Sequence, residues 1–200
     1  MKIAAIVLAA GLSRRMGKPK LVLPWGERTV IGQVCYVLRQ AGLDEILVVT
    51  GGARLEIEAA LAGEPVRIVF NPRFERSEMI DSLKIGLASL SKDCATALVA
   101  LGDQPQIHIE VVRQVLQVYR ERGADLVVPS YRMKRGHPWL VARRFWDQIL
   151  SQDAPLTLRD FLNRFEQHIT YLPVDSDSIL RDLDTPEDYE REINLNHPKG

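Results

Sequence analysis

The chain has 200 residues, and its 26 Lys plus Arg balance 26 Asp plus Glu, so the formal net charge is zero at pH 7. This balance excludes a dedicated duplex-DNA binder and a polybasic membrane-surface protein, because both normally carry a net positive charge. With 46% hydrophobic and 26% charged residues, the composition is that of a soluble globular protein, and the length favours one domain over two small ones.

Cysteine content and apolar run lengths limit where the protein works. Cys35 and Cys94 are too few and too far apart to indicate a disulfide scaffold or a zinc knuckle. The run Ile3–Ala9 is short for a signal peptide and is followed by cations where a cleavage site would stand, so it predicts a buried strand. No other stretch approaches the roughly 20 apolar residues that span a bilayer, and we expect a cytoplasmic protein without a membrane partner.

Short apolar runs predict the strands of a sheet. Their hydrophobicity is continuous rather than alternating, which is typical of parallel strands that are covered on both faces. In chain order, the predicted strands are Ile3–Ala9, Glu45–Thr50, Val66–Phe70, Ala95–Leu101, Asp125–Val128, Pro138–Val141 and Ile169–Pro173.

Segments with helical spacing separate these strands. A last helix is predicted after Thr185 as N-cap, with Pro186 at its first position and Asp188 completing a capping box. The alternation predicts an α/β fold with a doubly wound, mainly parallel sheet. Without a repeat or linker, we expect one domain over residues 1–193 and a frayed tail, 194–200. The other predicted helices are Thr29–Gln40, Leu55–Leu61, Ile80–Leu90, Ile107–Arg122, Arg143–Leu150 and Leu156–Phe165.

A glycine- and cation-rich loop follows the first strand. Ligands of open α/β sheets sit beyond the carboxyl ends of the strands, so this loop is a candidate site. Gly11 and Gly17 permit unusual backbone conformations, and four cations, the last of them Lys20, fall within seven positions of this loop without an acid. Exposed amides with Arg and Lys suit a triphosphate, although the spacing is neither that of a Walker A loop nor that of a dinucleotide turn. A solvated basic loop is the alternative.

Acidic residues follow the fourth strand and precede the last helix. Asp103, between Gly102 and Gln104-Pro105, is placed to hold a divalent metal with water and phosphate ligands, or alternatively to cap the helix predicted from Ile107. Asp182 and Asp184 are two residues apart and therefore point the same way on an extended segment, where they offer a second metal ligand. Alternatively, Asp184 favours entry into the last helix through the helix dipole.

The tetrapeptide Arg135-Gly136-His137-Pro138 opens a later strand. A glycine beside Arg and His allows backbone amides and a cation to meet an anionic group, and an ordinary turn is the alternative.

Together, these motifs resemble the nucleotidyltransferases of molybdenum-cofactor biosynthesis, with the closest match to their cytidylyltransferase branch. The resemblance runs from Ala4 to Tyr189 in the family's order. It is most specific in the first loop, where the family positions are occupied by Ser13, Arg15, Met16, Gly17 and Lys20. It implies a three-layer, Rossmann-like fold of the nucleotide-diphospho-sugar transferase type. The implied reaction transfers CMP from CTP to the terminal phosphate of molybdopterin and releases pyrophosphate.

The resemblance also implies residue roles. Arg15 and Lys20 would bind the triphosphate, Asp103 and Asp184 would hold Mg²⁺, and Arg15, Lys20 and Asp103 would be the catalytic residues. The implied acceptor-binding residues are Arg135, Gly136, His137 and Pro138. The implied partners are CTP, molybdopterin and a molybdenum hydroxylase apoenzyme. Separately from the resemblance, we expect a monomer without a nucleic-acid partner. The implied nucleotide-binding residues are Leu8, Ala9, Ala10, Gly11, Ser13, Arg15, Gly17, Lys20, Ser82 and Asp103.

The choice of base can be argued from two positions. In family members that use GTP, the start of the first loop resembles Leu-Ala-Gly-Gly, whereas this chain has Leu8-Ala9-Ala10-Gly11. The Ala10 methyl therefore favours CTP by filling space that a purine would occupy. Ser77 departs from the resemblance, because relatives usually have Gly there, and this leaves the base contact at that position open.

Two alternative functions remain. One is a CTP- or GTP-dependent nucleotidyltransferase that acts on a sugar or alcohol phosphate through the same loop and metal. The other is a non-catalytic molybdenum-cofactor carrier or chaperone, against which the retention of Lys20, Asp103 and Asp184 argues.

The zero net charge is the sum of separated patches. Residues 11–20 carry four positive charges and residues 132–144 carry five, both without an acid, whereas residues 175–192 carry eight acids against two arginines. This distribution predicts two cationic surfaces that meet two small phosphorylated substrates.

Overall fold

The computed structural model describes residues 2–151 and 157–197, and a central sheet separates two layers of helices. The strands are β1 (Lys2–Ala9), β2 (Pro24–Trp25), β3 (Arg28–Thr29), β4 (Glu45–Thr50), β5 (Arg67–Phe70), β6 (Cys94–Leu101), β7 (Leu126–Tyr131), β8 (Lys134–Arg135), β9 (Trp139–Ala142) and β10 (Ile169–Pro173). The α-helices are α1 (Val30–Gln40), α2 (Arg54–Ala60), α3 (Met79–Ser89), α4 (Ile109–Arg122), α5 (Trp146–Leu150), α6 (Leu158–Arg164) and α7 (Pro186–Asn196).

The large sheet has the strand order β10-β7-β9-β6-β1-β4-β5, and β8 pairs with β7. β1 pairs in parallel with both β4 and β6, β4 with β5, and β7 with β10. β9 is antiparallel to both of its neighbours, β6 and β7. The prediction of a doubly wound, mainly parallel α/β sheet is therefore confirmed.

Both faces of the sheet are covered, which explains the continuous hydrophobicity of the strands. Seven of the eight residues of β1 are buried. On one face, Val7 belongs to a core that includes Leu38 of α1 and Leu116 of α4. On the other face, Ile6 belongs to a second core that includes Leu83 of α3. Each strand residue thus has a helical layer to pack against, whichever side of the pleat it occupies.

The strand order reverses next to β1. The chain passes from β1 to β4 and β5 on one side, and then returns to place β6 on the other side of β1. The backbone N–H of Gly102 donates to the carbonyl oxygen of Leu8 at 3.0 Å, so the segments that leave β1 and β6 start side by side. Ligands of open α/β sheets bind at such a switch point, beyond the carboxyl ends of the strands.

Three short strands were not predicted from the sequence, and one predicted strand is longer. β2 and β3 form a small antiparallel hairpin. β7 continues through Pro129 to Tyr131, and β8 pairs with its end. Pro129 lacks a backbone N–H, but its carbonyl oxygen accepts from the N–H of Gly136 at 2.9 Å. The strand therefore continues through Pro129, because the carbonyl oxygen of this proline still accepts a hydrogen bond from a neighbouring strand segment.

Helix boundaries follow capping residues. α4 begins at Ile109 with His108 as N-cap, two residues after the predicted start, so the interpretation of Asp103 as a helix cap is wrong. α6 begins after the N-cap Thr157, and the predicted start at Leu156 lies outside the described residues. α7 begins as predicted, with Thr185 Oγ1 accepting from the N–H of Asp188 in a capping box.

α7 continues to Asn196, so residues 194–196, expected to fray, are helical instead. His197 follows the helix and its ring lies edge-on against Trp25, with 5.5 Å between ring centroids. The hairpin that carries Trp25 was itself missed, so the sequence offered no sign of this contact. Residues 198–200 of the predicted tail lie outside the described part of the chain. None of the helices that the structure describes combines the length and apolar character needed to cross a bilayer.

Candidate functional site

A cavity of about 580 Å³ opens at the carboxyl ends of β1 and β6. Asp182 and Asp184 border it as well, although they are distant in sequence. Gly17 does not border this cavity; it borders a smaller one, of about 300 Å³, together with Gly52 and Ala53. The expected nucleotide-binding residues that border the cavity are Leu8, Ala9, Ala10, Gly11, Ser13, Arg15, Lys20, Ser82 and Asp103.

Internal hydrogen bonds shape the loop after β1. Ser13 has a left-handed backbone (φ 49°), and its carbonyl oxygen accepts from the N–H of Met16 at 3.0 Å. Gly17 also has a positive φ, +66°, where a side chain is disfavoured. Ser13 Oγ accepts from the N–H of Lys20 at 3.3 Å, and the Met16 side chain is buried. The loop is therefore anchored against the core. Arg14, Arg15 and Lys18 nevertheless remain exposed, as the alternative of a solvated basic loop predicts.

Lys20 forms ion pairs with both aspartates that were predicted from the sequence to be metal ligands. Its Nζ lies 2.5 Å from Asp103 Oδ2 and 3.0 Å from Asp184 Oδ1, and only 12% of its side chain is exposed. Burial lowers the pKa of Lys20, but the two carboxylates outweigh it, and the net pKa is raised from its usual value. Lys20 is therefore a charged ammonium held between Asp103 and Asp184.

Arg15 reaches the same centre from solvent. Its Nη2 lies 2.7 Å from Asp184 Oδ2, while 70% of its side chain is exposed. Exposed ion pairs contribute little to stability, so Arg15 can exchange this carboxylate for a ligand at small cost.

Asp182 differs from Asp184 although the two are neighbours in the motif. Burial and the nearby Asp103 raise the pKa of Asp182 to about 6, and its Oδ1 accepts from Gln104 Nε2 at 2.8 Å. Gln106 Nε2 donates to the carbonyl oxygens of Ser178 (3.1 Å) and Arg181 (2.6 Å). Two glutamines that follow β6 thus fasten the segment that carries both aspartates.

The donor set at this centre fits a hard divalent cation. The Lys20 ammonium already bridges Asp103 and Asp184, which shows that one cation can reach both carboxylates. Within residues 2–151 and 157–197, no group of three or more His, Cys, Asp or Glu side chains is arranged to hold a metal ion. A bound ion would therefore take its remaining ligands from water and substrate oxygens, as Mg²⁺ commonly does.

Two features of the first cavity escaped the sequence reasoning. A Cβ added to Gly51, which follows β4, would lie 2.4 Å from the carbonyl oxygen of Ala10. Position 51 must therefore be glycine for the loop after β1 to pack against it. Fully buried Asn71, which follows β5, donates from Nδ2 to the hydroxyls of Ser77 and Ser82, each at 3.0 Å. Both residues directly follow strands, which is the signal that could have found them.

A second cavity, of about 750 Å³, adjoins the first, and Met79 borders both. Of the residues expected to contact an acceptor, Arg135, Gly136 and His137 border it and Pro138 does not. The motif is more than an ordinary turn: a Cβ on Gly136 would lie 2.4 Å from the carbonyl oxygen of Ile179, which also accepts from the His137 N–H at 3.0 Å. The tetrapeptide is therefore fitted against the segment that carries the aspartates.

The Arg135 guanidinium is engaged by neighbouring side chains. It donates to Tyr171 Oη at 2.8 Å, to Asn163 Oδ1 at 2.6 Å and to Glu166 Oε1 at 2.8 Å. Two of its five N–H groups are left over from these three bonds, and 21% of the side chain is exposed. An anion in this cavity would meet a cation whose orientation is already fixed.

The His137 imidazole is neutral at pH 7, because burial lowers its pKa to about 4. Its Nε2 is buried without a hydrogen-bond partner among the residues that the structure describes. His137 is therefore an uncharged residue among those that border the second cavity.

Comparison with known proteins identifies relatives along nearly the whole chain. A family model described as the MobA-like NTP transferase domain matches residues 5–169. The molybdenum cofactor cytidylyltransferase of Escherichia coli (strain K12) is 27% identical over 188 residues, which cover 94% of this chain and 93% of that protein. Nicotine blue oxidoreductase of Paenarthrobacter nicotinovorans is also 27% identical, over 92% of this chain and 93% of its own.

A similar solved structure is that of Rv0371c from Mycobacterium tuberculosis H37Rv, in complex with manganese. It has a TM-score of 0.80 and 28% sequence identity, and the match covers 97% of this chain and 99% of that one. The fold is of the nucleotide-diphospho-sugar transferase type, as expected. Because differently named proteins are equally similar in sequence, the substrate has to be argued from the site.

Proposed function

The chain belongs to the MobA-like NTP transferase family of nucleotidyltransferases, and we propose that it transfers CMP from CTP to the terminal phosphate of molybdopterin, with release of pyrophosphate. One observation carries the proposal: the Lys20 ammonium lies between Asp103 and Asp184, in a cavity at the switch point of the sheet. A buried cation suits the binding of phosphates, and converging carboxylates suit the binding of a divalent ion.

The chemistry requires little covalent help from the protein. An oxygen of the acceptor phosphate attacks the α-phosphorus of CTP, a new P–O bond forms, and the bond from the α-phosphorus to the bridging oxygen breaks as pyrophosphate leaves. A phosphate monoester is largely ionised at neutral pH, so no strong base is needed. Positioning and charge stabilisation account for such a reaction.

Residues of the first cavity would bind the triphosphate. The backbone of the loop after β1, together with Arg15 and Lys20, supplies hydrogen-bond donors and positive charge. Asp103 and Asp184 would hold Mg²⁺, which when bound neutralises charge on the triphosphate and on the leaving pyrophosphate. With substrate present, Lys20 has phosphate oxygens as well as carboxylates to bond, and its raised pKa keeps it charged for either.

The second cavity supports a separate acceptor. It is of a size to hold a bicyclic or tricyclic small molecule, it adjoins the first cavity at Met79, and Lys134, Arg135 and Arg159 border it. These cations suit the phosphate of an acceptor, while Met79, Met133 and Tyr171 offer exposed apolar surface for its ring system. The relative from Escherichia coli is named a molybdenum cofactor cytidylyltransferase, and Ala10 borders the first cavity, as the preference for CTP requires.

The test measures pyrophosphate release with CTP or GTP, and with molybdopterin or a sugar or alcohol phosphate as acceptor. We expect turnover with CTP, Mg²⁺ and molybdopterin, and less than about one hundredth of that rate with GTP. Asp103→Asn should lower the rate by about 10²-fold or more, because one carboxylate of the metal pair is lost. Equal use of CTP and GTP would contradict the base assignment.

The two alternatives give different results in the same assay. Turnover of a sugar or alcohol phosphate without molybdopterin turnover would replace the acceptor and keep the nucleotide site. Delivery of the cofactor to a molybdenum hydroxylase apoenzyme that persists undiminished in Asp103→Asn would favour the carrier, because a carrier needs no metal and triphosphate centre.

A further inference from the structure

Four side chains from four different elements meet at the second cavity. Arg135 lies on β8, Asn163 on α6, Glu166 in the short helical turn that follows α6, and Tyr171 on β10. All four border the cavity. Between 28 and 36 positions separate Arg135 from its three partners along the chain, so only the fold brings this cluster together.

The three partners hold different nitrogens of the Arg135 guanidinium. Tyr171 Oη accepts from Nε at 2.8 Å, and Asn163 Oδ1 accepts from Nη1 at 2.6 Å. Glu166 Oε1 accepts from Nη2 at 2.8 Å, and it also accepts from the Tyr171 hydroxyl at 3.2 Å. The orientation of the guanidinium is therefore set before any ligand binds.

Glu166 differs from the other two partners in charge and exposure. Asn163 and Tyr171 are neutral, so they can stay in place when an anion binds beside Arg135. The Glu166 carboxylate bonds the same kind of N–H donor that a phosphate requires, and it repels a phosphate that approaches. With 66% of its side chain exposed, it forms an ion pair that contributes little to stability and can be exchanged at small cost.

We infer that Glu166 is a built-in competitor for the acceptor phosphate. Its carboxylate pairs with Arg135 until the acceptor binds, and the phosphate of the acceptor then takes its place. Asn163 and Tyr171 are positioning residues, which keep the guanidinium oriented while its anionic partner is exchanged. This inference rests on the proposed function, because it assumes that the second cavity holds a phosphorylated acceptor.

Removing the two kinds of partner should have opposite effects on phosphate binding. Glu166→Gln keeps the size of the side chain and removes its charge, so the competitor is lost. Tyr171→Phe removes the acceptor of the Arg135 Nε–H, so the guanidinium is no longer held in one orientation. If the cluster had a purely structural role, both variants would bind phosphate more weakly.

The test titrates inorganic phosphate, at constant ionic strength, into protein saturated with Mg²⁺ and a CTP analogue. In this analogue a methylene group replaces the oxygen between the α- and β-phosphorus, so the first cavity is filled and no transfer occurs. The Arg135 Nε–H resonance in ¹H–¹⁵N spectra reports binding, and its loss in Arg135→Lys assigns it. Glu64→Gln is the matched control, because Glu64 pairs with Arg39 at the same 2.8 Å and borders neither cavity.

Glu166→Gln should lower the dissociation constant of phosphate about threefold, as expected when an exposed ion pair no longer has to be exchanged. Tyr171→Phe should raise it about fivefold, because a hydrogen bond that orients Arg135 is lost. In the transfer assay, the KM for molybdopterin should change in the same two directions while the KM for CTP stays constant. Glu64→Gln should change none of these values.

Weaker or unchanged phosphate binding in Glu166→Gln would overturn the inference, because Glu166 would then merely hold Arg135 in place. Thermal unfolding reports whether each variant is folded, and if Tyr171→Phe does not fold, the direction of the effect in Glu166→Gln decides. A wild-type protein that binds the CTP analogue but no phosphate would overturn the inference and leave the nucleotide site intact. A wild-type protein that does not bind the analogue would overturn the proposed function, and this inference with it.

Discussion

At the centre of the first cavity, the Lys20 ammonium is a single positive charge between two carboxylates. Without it, Asp103 and Asp184 would face each other across a partly buried space with no positive charge between them, and ionised carboxylates in such a space are costly unless paired. The same ammonium is the cation best placed for a triphosphate. Its structural and functional roles are therefore tied to the same pair of aspartates.

Lys20→Met should lower kcat/KM for CTP by about 10²-fold or more, because charge stabilisation of the triphosphate is lost. In the absence of Mg²⁺ its Tm should also fall, and Mg²⁺ should restore much of it by replacing the missing charge. Lys18→Met is the matched control, since Lys18 is exposed in the same loop and does not border the cavity. Equal activity of the two variants would contradict the role of Lys20.

His137 couples stability to pH because burial lowers its pKa to about 4, against a usual value of 6.5. Between these values, the unfolded chain binds a proton that the folded chain does not. The stability that neutral His137 contributes is therefore fully present above pH 6.5 and is lost as the pH falls towards 4.

His137→Gln should remove this part of the pH dependence. Urea unfolding at pH 7 and pH 4.5 should show that the wild type loses about 2 kcal/mol more than the variant, as expected for a pKa lowered from 6.5 to about 4. Other titrating groups affect both proteins alike and cancel in the comparison. Parallel losses in the two proteins would show that the ring is not held neutral.

At the scale of elements, the segment that leads into α7 completes the site. The N–H of Leu183 donates to the carbonyl oxygen of Asp103 at 3.2 Å, and the glutamines after β6 hold the neighbouring residues. α7 itself is held by an ion pair between its buried Glu192 and Arg181, with 3.0 Å between Glu192 Oε1 and Arg181 Nη1. The helix start therefore sets the position of Asp184, one residue before its N-cap.

Thr185→Ala should cost about 1 kcal/mol of stability, because the N–H of Asp188 loses its side-chain acceptor. Thr185→Ser keeps the hydroxyl and should retain most of that stability. Guanidinium chloride unfolding measures both variants. An alanine variant as stable as the wild type would mean that the capping box does not stabilise α7.

At the scale of the whole molecule, the charges are arranged differently from a simple pair of cationic surfaces. Lys134 and Arg135 border the second cavity, but Arg143 donates to the carbonyl oxygen of Cys94 and Arg144 pairs with Asp125, away from both cavities. Of the five cations in residues 132–144, Lys134 and Arg135 are therefore the ones that border the second cavity. The acidic segment 175–192 does meet the cationic loop, through Asp184.

This distribution predicts a salt-dependent affinity for CTP. The KM for CTP should rise several-fold between about 50 and 500 mM KCl, because screening weakens the exposed cations of the loop most. Arg15→Gln should show a flatter dependence, since Arg15 is the more exposed of the two cations that pair with Asp184. A KM that is independent of salt would show that these cations do not contribute to binding. The monomeric state stays a prediction.

The sequence by itself determined the class of fold and the first loop. Continuous apolar runs predict strands buried on both faces, and Thr185 with Pro186 and Asp188 predicts a helix start, because both signals depend on neighbours along the chain. Asp103 and Lys20 can also be identified from their neighbours along the chain. Asp103 follows a predicted strand, and Lys20 ends the cation-rich loop.

Only the tertiary structure decided which distant residues meet. The bridge from Lys20 to Asp103 and Asp184 spans 83 and 164 residues, and Asn71 acts on Ser77 and Ser82 from the end of another strand. Arg135 likewise proved to be held by Asn163, Glu166 and Tyr171. Such contacts depend on the order of the strands and on the burial of each polar group, and neither quantity is encoded in local spacing.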